Sequence, residues 1–329
     1  SQCGFCTPGF VMSLFSMFKN YSKFNNNLIK ESISGNLCRC TGYKPIIKAA
    51  KSLNNKNKID QFTKNKKNVI KLLKKINNAS ITIYKNNKKY FAPRYVQELK
   101  KILRKNTNSH LLSGGTDLSL NVTKKRQEIE SIIYMNSINE LNYIKNQTKY
   151  IEVGATTPLI KFENYVNKYY PDFNSILKRY GSVQIRNVAT MAGNIATASP
   201  IGDTLPLLLS LDAKLVLKDA KKTKIVPLNG FFLDYRKTKL KKGQFIESVR
   251  IPLFPKNIFK AYKISKRFDD DISSVCASFN LEVINKKIKN IRIAYGGMAS
   301  IPKRAKSCER ILKNSLITDK IIEKAKKAL

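Results

Sequence analysis

Four cysteines within the first 40 residues restrict what this chain can become more than any other feature. Cys3 and Cys6 form a C-x2-C pair, and after 31 intervening residues Cys38 and Cys40 form a C-x-C pair. Disulfide frameworks belong to small secreted domains with cysteines spread throughout, whereas close pairs in a chain of 329 residues favour metal. Zinc knuckles and ribbons usually repeat C-x2-C in both halves. The C-x-C pair, set among Gly35 and Arg39, departs from that pattern and suits a 2Fe-2S cluster held by four thiolates on two tight turns. Structural zinc is the alternative. Cys276 and Cys308 stand alone far downstream, and Cys276, inside the alternating apolar stretch Val275 to Val283, reads as a buried small hydrophobe.

Each cysteine pair opens a helix in a similar way. In Cys6-Thr7-Pro8-Gly9-Phe10 and Cys40-Thr41-Gly42-Tyr43 the threonine is the expected N-cap, and Pro8 falls at N1, where its missing donor costs nothing. The two halves therefore read as a pseudo-twofold repeat that aims helix N-termini at an anionic cluster. Phe10, Val11, Leu14, Phe15 and Phe18 after the first cap recur at helical spacing, as do Ile46, Ile47, Ala50 and Leu53 after the second, and both stripes read as core.

The chain is long enough for two or three domains. Its 42% hydrophobic content is ordinary for a globular protein, and no apolar run approaches the roughly 20 residues of a membrane span. A formal charge of +40 would normally suggest nucleic acid, but of the 62 basic residues 50 are Lys and only 12 are Arg, beside 32 Asn. A phosphate-clamping surface would prefer the bidentate fork of Arg and interleave aromatics. The scattered Lys reads instead as a solvated surface, so neither nucleic acid nor membrane is expected as a partner. One histidine, His110, leaves no material for a multi-histidine metal site or a Ser-His-Asp triad. The chain opens at Ser1 without an initiator Met, and its true N-terminus is expected to lie further upstream.

Residues 54 to 78 turn Asn- and Lys-rich and read as an interdomain linker with one short helix. Beyond it Ile81 and Ile83 alternate as a strand, Tyr95 to Leu103 has helical spacing, and Leu111-Leu112 reads as a buried strand running into Ser113-Gly114-Gly115-Thr116-Asp117. A strand ending in Gly-Gly with hydroxyl neighbours lets backbone amides approach phosphate oxygens. It has neither the spacing of a Rossmann turn nor that of a P-loop. A second segment, Gln184 to Asp203, gathers small residues, hydroxyls, Asn194 and Asp203, which would be wasteful in a core.

Taken in order, CGFCTPG with GNLCRCTGY, LLSGGTDL, QIRNVATMAGNIATASPIGD, FFLDYRKT, KRFDDDI and AYGGMA resemble the molybdenum hydroxylase family, in particular its xanthine dehydrogenase-type small subunit carrying iron-sulfur and FAD. The resemblance implies a multidomain α+β chain. A helical-bundle 2Fe-2S domain (1–53) and the linker (54–78) precede a two-subdomain FAD-binding domain of the vanillyl-alcohol-oxidase type (79–255). A C-terminal flavoprotein domain (256–329), expected to be truncated, follows. It implies that Cys3, Cys6, Cys38 and Cys40 hold the cluster. Leu111, Leu112, Ser113, Gly114, Gly115, Thr116, Asp117 and Leu118 would form the FAD pyrophosphate loop. Thr190, Gly193, Asn194, Thr197 and Asp203 would contact FAD from the second segment, Tyr180 would stack beside its ring system, and Lys263 would tune its potential. Asp269, Asp270 and Asp271 fall in what resembles a loop governing access of NAD. The resemblance also implies a large molybdopterin-binding partner in a cytoplasmic hetero-oligomer, electrons passing to FAD and then NAD, and a ferredoxin-like domain that these residues do not include.

Overall fold

The computed structural model describes residues 1–55, 59–76 and 79–329. It divides into two compact units, Ser1–Ala79 with Gly181–Ile185, and Ser80–Tyr180 with Arg186–Leu329.

The first unit is helical: α1 (Thr7–Asn20), α2 (Asn26–Ile33), α3 (Lys44–Ser52) and α4 (Gln61–Lys74). Phe10 and Met17 of α1, Phe24 in the connection that follows, Ile29 and Ile33 of α2, and Ala50 of α3 make its core. Ile46, Ile47 and Leu53 pack partly buried against it, as the helical spacing predicts. Val11 instead faces solvent. The segment expected to be a linker with one short helix holds the 14-residue α4, capped by the Asp60 carboxylate, which accepts from the Thr63 amide at 2.9 Å. No residue of α4 is buried.

The second unit is built on three sheets. The first has the order β1-β2-β4-β3 and comprises β1 (Ile81–Lys85), β2 (Lys88–Ala92), β3 (His110–Leu112) and β4 (Ser131–Tyr134), with β4 parallel to both β2 and β3. Asn86 and Asn87, with φ of 48° and 61°, make the tight turn between β1 and β2, and Asn tolerates the left-handed region better than most residues. Helix α5 (Val96–Lys105) lays Val96, Leu99 and Leu103 on Phe91 and Ile133. His110 is exposed, and Leu111 and Leu112 are half-buried where the sequence suggested full burial, because β3 is an edge strand. The short α6 (Ser119–Thr123) follows the turn after β3.

The second sheet, β5-β6-β11-β7-β8, is antiparallel: β5 (Ile144–Asn146), β6 (Tyr150–Gly154), β7 (Lys214–Lys218), β8 (Thr223–Pro227) and β11 (Phe245–Pro252). A ribbon of β9 (Phe232–Asp234) and β10 (Lys237–Thr238) stands apart from it. Between β6 and β7 run α7 (Leu159–Val166), α8 (Pro171–Lys178), α10 (Met191–Thr197) and α11 (Thr204–Ser210), with α9 (Val183–Arg186), whose residues up to Ile185 belong to the first unit, between α8 and α10 in the chain. The third sheet, β12-β13-β14-β15, is also antiparallel: β12 (Ile258–Ser265), β13 (Ser273–Ile284), β14 (Lys287–Gly296) and β15 (Lys303–Arg304). Helices α12 (Lys306–Leu312) and α13 (Asp319–Lys327) pack against its outer part. Every residue of α11 is buried, and the helix lies on β13 and β14, so one core joins the second and third sheets. Cys276 lies in that core, fully buried.

One charged group is sealed into this core. Arg186 donates from Nε to Glu163 Oε2 at 2.8 Å and from NH1 to the Lys178 carbonyl at 3.1 Å, with both side chains of the ion pair almost completely buried. Removing one partner of such a pair strands the other charge in a low dielectric. Glu163→Ala should therefore cost about 3–5 kcal/mol in urea denaturation, and a loss below about 1 kcal/mol, the level of an exposed pair, would contradict the buried geometry.

Candidate functional site

Two turns deliver the four N-terminal cysteines. The first places Gly4 at φ 79°, and α1 then starts with Cys6 itself as N-cap, so Thr7 is already helical and Pro8 sits in the first turn. The second turn differs: Gly42 has φ 63° and Tyr43, the N-cap of α3, has φ 67°. Thr41 is not a helix cap there. Its hydroxyl accepts from the Tyr43 amide at 3.2 Å and hydrogen-bonds Cys38 Sγ at 3.1 Å, while its own amide donates to the same sulfur at 3.5 Å. The expected pseudo-twofold therefore holds for sequence and not for the backbone.

The fold presents the thiols as two pairs. Cys40 Sγ donates to Cys3 Sγ at 3.4 Å, and Cys6 hydrogen-bonds Cys38. Within each pair one thiol is biased toward the thiolate. Cys38 is drawn down to about 7 by the Thr41 hydroxyl and then the Thr41 amide, and Cys3 is lowered by the Phe5 amide and then by Cys40. Their partners are raised, Cys6 chiefly by desolvation and Cys40 by its bond to Cys3. Among the described residues no three His, Cys, Asp or Glu side chains converge as ligands of a single ion. Two facing all-sulfur pairs fit a binuclear cluster, in which four thiolates serve two irons.

The glycine turn after β3 and the segment after α9 meet. A Cβ on Gly114 would lie 2.1 Å from the Val188 carbonyl oxygen and 2.9 Å from Ala189 Cα. That close approach explains Gly114, whose φ is not positive; Gly115, at φ 72°, is the residue that needs left-handed freedom. Ser113 donates to Asn136 Oδ1 at 2.7 Å, Asp117 pairs with Arg236 at 2.5 Å, and Leu118 leads directly into α6. The FFLDYRKT motif thus supplies a cation to the turn.

In the second segment Thr190 caps α10 by accepting from the Gly193 amide at 3.0 Å. Asn194 donates to the Tyr180 hydroxyl at 3.2 Å and accepts from Thr204. Thr197 lies half-buried near the end of α10. Burial first, then the carboxylates of Asp203 and Asp117, push the Tyr180 phenol up, so it stays protonated at neutral pH. Tyr180 therefore feels both segments at once.

Asp203 is not an open acceptor for a cofactor hydroxyl, and Lys263 is not an isolated cation. Lys263 Nζ donates to Asp203 Oδ2 at 2.7 Å and to the Arg179 carbonyl at 3.0 Å, with both side chains of the pair buried. Ser273 donates to the other carboxylate oxygen. Arg179 in turn donates to the Phe268 carbonyl at 2.8 Å, the Lys263 carbonyl at 3.1 Å and Ser265 Oγ at 3.2 Å, and its guanidinium lies 4.3 Å from the centre of the Phe268 ring. In the acidic loop Asp271 accepts from the Arg267 amide, Asp270 has φ 52°, and Phe268 is exposed. Sequence reasoning missed Arg179, Arg236, Ser273 and the Val188–Ala189 backbone. Their partners lie between 65 and 120 residues away or across a backbone contact, so no local spacing announces them.

Two outcomes follow from this geometry. Gly114→Ala should destabilise the chain by about 2 kcal/mol or more through overpacking and Gly115→Ala by about 1 kcal/mol through backbone strain, so the reverse order in urea denaturation would contradict the close approach. Lys263→Ala leaves Asp203 buried without its cation and should cost about 3–5 kcal/mol. The double replacement Asp203→Asn with Lys263→Met should recover a large part of that loss, and no recovery would contradict the pairing.

Comparison with known proteins places these features. The model of the [2Fe-2S] binding domain matches residues 1–51, that of the FAD binding domain in molybdopterin dehydrogenase matches 84–254, and that of the CO dehydrogenase flavoprotein C-terminal domain matches 260–329. Xanthine dehydrogenase of Emericella nidulans is 29% identical over 97% of this chain and 28% of its own length, and that of Dictyostelium discoideum is 31% identical over 94% and 28%. The chain spans less than a third of the length of these relatives. Carbon monoxide dehydrogenase from Hydrogenophaga pseudoflava superposes with a TM-score of 0.69 at 26% identity, covering 73% of this chain and 84% of that one. Quinoline 2-oxidoreductase from Pseudomonas putida 86, at 21% identity and a TM-score of 0.67, shares the fold. With 2Fe-2S, FAD-binding and flavoprotein C-terminal domains matched in sequence order, this chain belongs to the molybdenum hydroxylase family and carries that family's iron-sulfur and flavin domains.

Proposed function

We propose that this chain is the electron-transfer part of a xanthine dehydrogenase-like enzyme. It would connect a molybdopterin-bearing partner, where a purine or related heterocycle is hydroxylated, to NAD. When bound, the cluster supplies one-electron and FAD two-electron redox chemistry, which lets a two-electron oxidation feed a hydride acceptor. The observation that carries this reading is the two facing thiol pairs inside the segment matched by the [2Fe-2S] domain.

Within it, Cys3, Cys6, Cys38 and Cys40 are the cluster ligands, and the Thr41 donors to Cys38 would stay available to a ligating sulfur and temper its charge. The Leu111 to Leu118 loop, with Gly115 in the left-handed region, offers backbone amides to the FAD pyrophosphate. Thr190, Gly193, Asn194 and Thr197 face the flavin from the other side. Tyr180, held protonated, keeps a neutral surface beside the ring system. Asp203 and Lys263 act as a unit that fixes the segment, a different role from the separate contacts expected of each. The Phe268 to Asp271 loop, anchored by Arg179, governs approach of NAD. The working unit is a cytoplasmic hetero-oligomer. None of the described helices is long and apolar enough to cross a membrane.

Cys38→Ser should lose most of the iron and sulfide, whereas Cys276→Ala, deep in the apolar core, should retain both. A full complement in Cys38→Ser would overturn the ligand set. The isolated, molybdenum-free chain should not hydroxylate purines, and turnover by it would overturn the division of labour with a partner.

A further inference from the structure

The third sheet carries a cleft of about 470 Å³, lined by residues of β14, β15 and α12 together with Asp212 and Lys313. Five cations line it against two carboxylates, Asp212 and Glu309. Surplus lysine on this surface means little, but Arg is scarce. Three of the 12 arginines in the chain, Arg292, Arg304 and Arg310, lie in this one cleft.

Two of them are held in place. Arg304 makes a forked contact with Glu309, Nε to Oε1 at 2.9 Å and NH2 to Oε2 at 2.6 Å. Glu309 is itself buried and accepts the Ile293 amide at 2.8 Å, so the guanidinium is fixed to the sheet backbone. Arg292 lies 5.2 Å from the centre of the Phe254 ring, with Asp212 3.6 Å away. Both side chains have therefore already lost much of the rotamer freedom that binding would otherwise cost. Lys306, Arg310 and Lys313 stand exposed at the rim, with no ion pair among the described residues. Together they leave the cleft with an uncompensated positive charge.

We propose that this cleft binds a small molecule bearing a diphosphate group, at a site separate from the flavin. Arg292 and Arg304 are each already turned to a carboxylate, so the rim cations Lys306, Arg310 and Lys313 supply the surplus charge that would neutralise phosphate oxygens, with the two held guanidinium groups lending further donors. The concavity and volume suit a small ligand, and the lining has no aromatic platform for stacking nucleic acid bases.

Calorimetric titration of inorganic pyrophosphate into the FAD- and cluster-loaded full chain, at about 0.15 M salt so that long-range attraction is screened, tests this. One saturable event should appear. It should weaken at least about tenfold in Lys306→Glu/Arg310→Glu/Lys313→Glu, which leaves the Arg304 and Glu309 fork untouched, provided its melting temperature is unchanged. The charge-matched control Lys66→Glu/Lys67→Glu/Lys71→Glu should bind as the parent does. Absence of saturable binding, equal loss in both variants, or citrate binding as tightly as pyrophosphate would overturn the proposal. Should the rim variant fail to fold, the single Arg310→Gln chain takes its place, and unchanged affinity there would overturn it as well.

Discussion

Asp203 and Lys263 are 60 residues apart in sequence, yet their side chains meet at 2.7 Å with almost no exposure to water. A buried ion pair is seldom a large net source of stability, because desolvating both charges offsets their attraction. What it does impose is a penalty on every arrangement in which either partner is left alone. The second oxygen of Asp203 is satisfied by Ser273 on β13, and Lys263 also donates to the Arg179 carbonyl. The loop before α11, the end of α8 and two strands of the third sheet are therefore fixed by one cluster of charges. Asn194, held between Tyr180 and Thr204, joins this cluster through the chain neighbours of Arg179 and Asp203.

Much of the architecture was legible in the residues themselves. The cysteine spacing, helical periodicity after each pair, the strand leading into Ser113-Gly114-Gly115 and the alternation around Cys276 each correspond to elements of the fold. What spacing did not convey was the partner of each polar group. Gly114 looked like a position needing backbone freedom, but its constraint is steric and comes from a chain segment more than 70 residues away. Asp203 and Lys263 were each legible as functional and not as partners, because hydrogen bonding across such separations leaves no local pattern. The helix caps failed for a different reason. Thr41 follows a cysteine just as Thr7 does, yet its hydroxyl is taken by Cys38 and by the Tyr43 amide before it can cap a helix.

The contrast between the two basic residues runs through the whole chain. Lysine is spread over the surface in numbers that set the net charge and little else. Several arginines instead make defined contacts: Arg179 on the acidic loop, Arg186 on Glu163, Arg236 on Asp117, Arg250 on Glu152 and, as a two-donor fork, Arg304 on Glu309. The net charge of +40 thus separates into a solvated background and a small set of built contacts.

On this reading one chain holds both a 2Fe-2S cluster and FAD. This is tested most directly by iron, sulfide, zinc and flavin analysis of the anaerobically purified protein, with visible spectra recorded before and after dithionite. Iron and sulfide should appear in equal amounts, twice the molar amount of FAD, with negligible zinc and with flavin and iron-sulfur absorbance that both bleach on reduction. A folded, colourless chain carrying zinc and no flavin would contradict it.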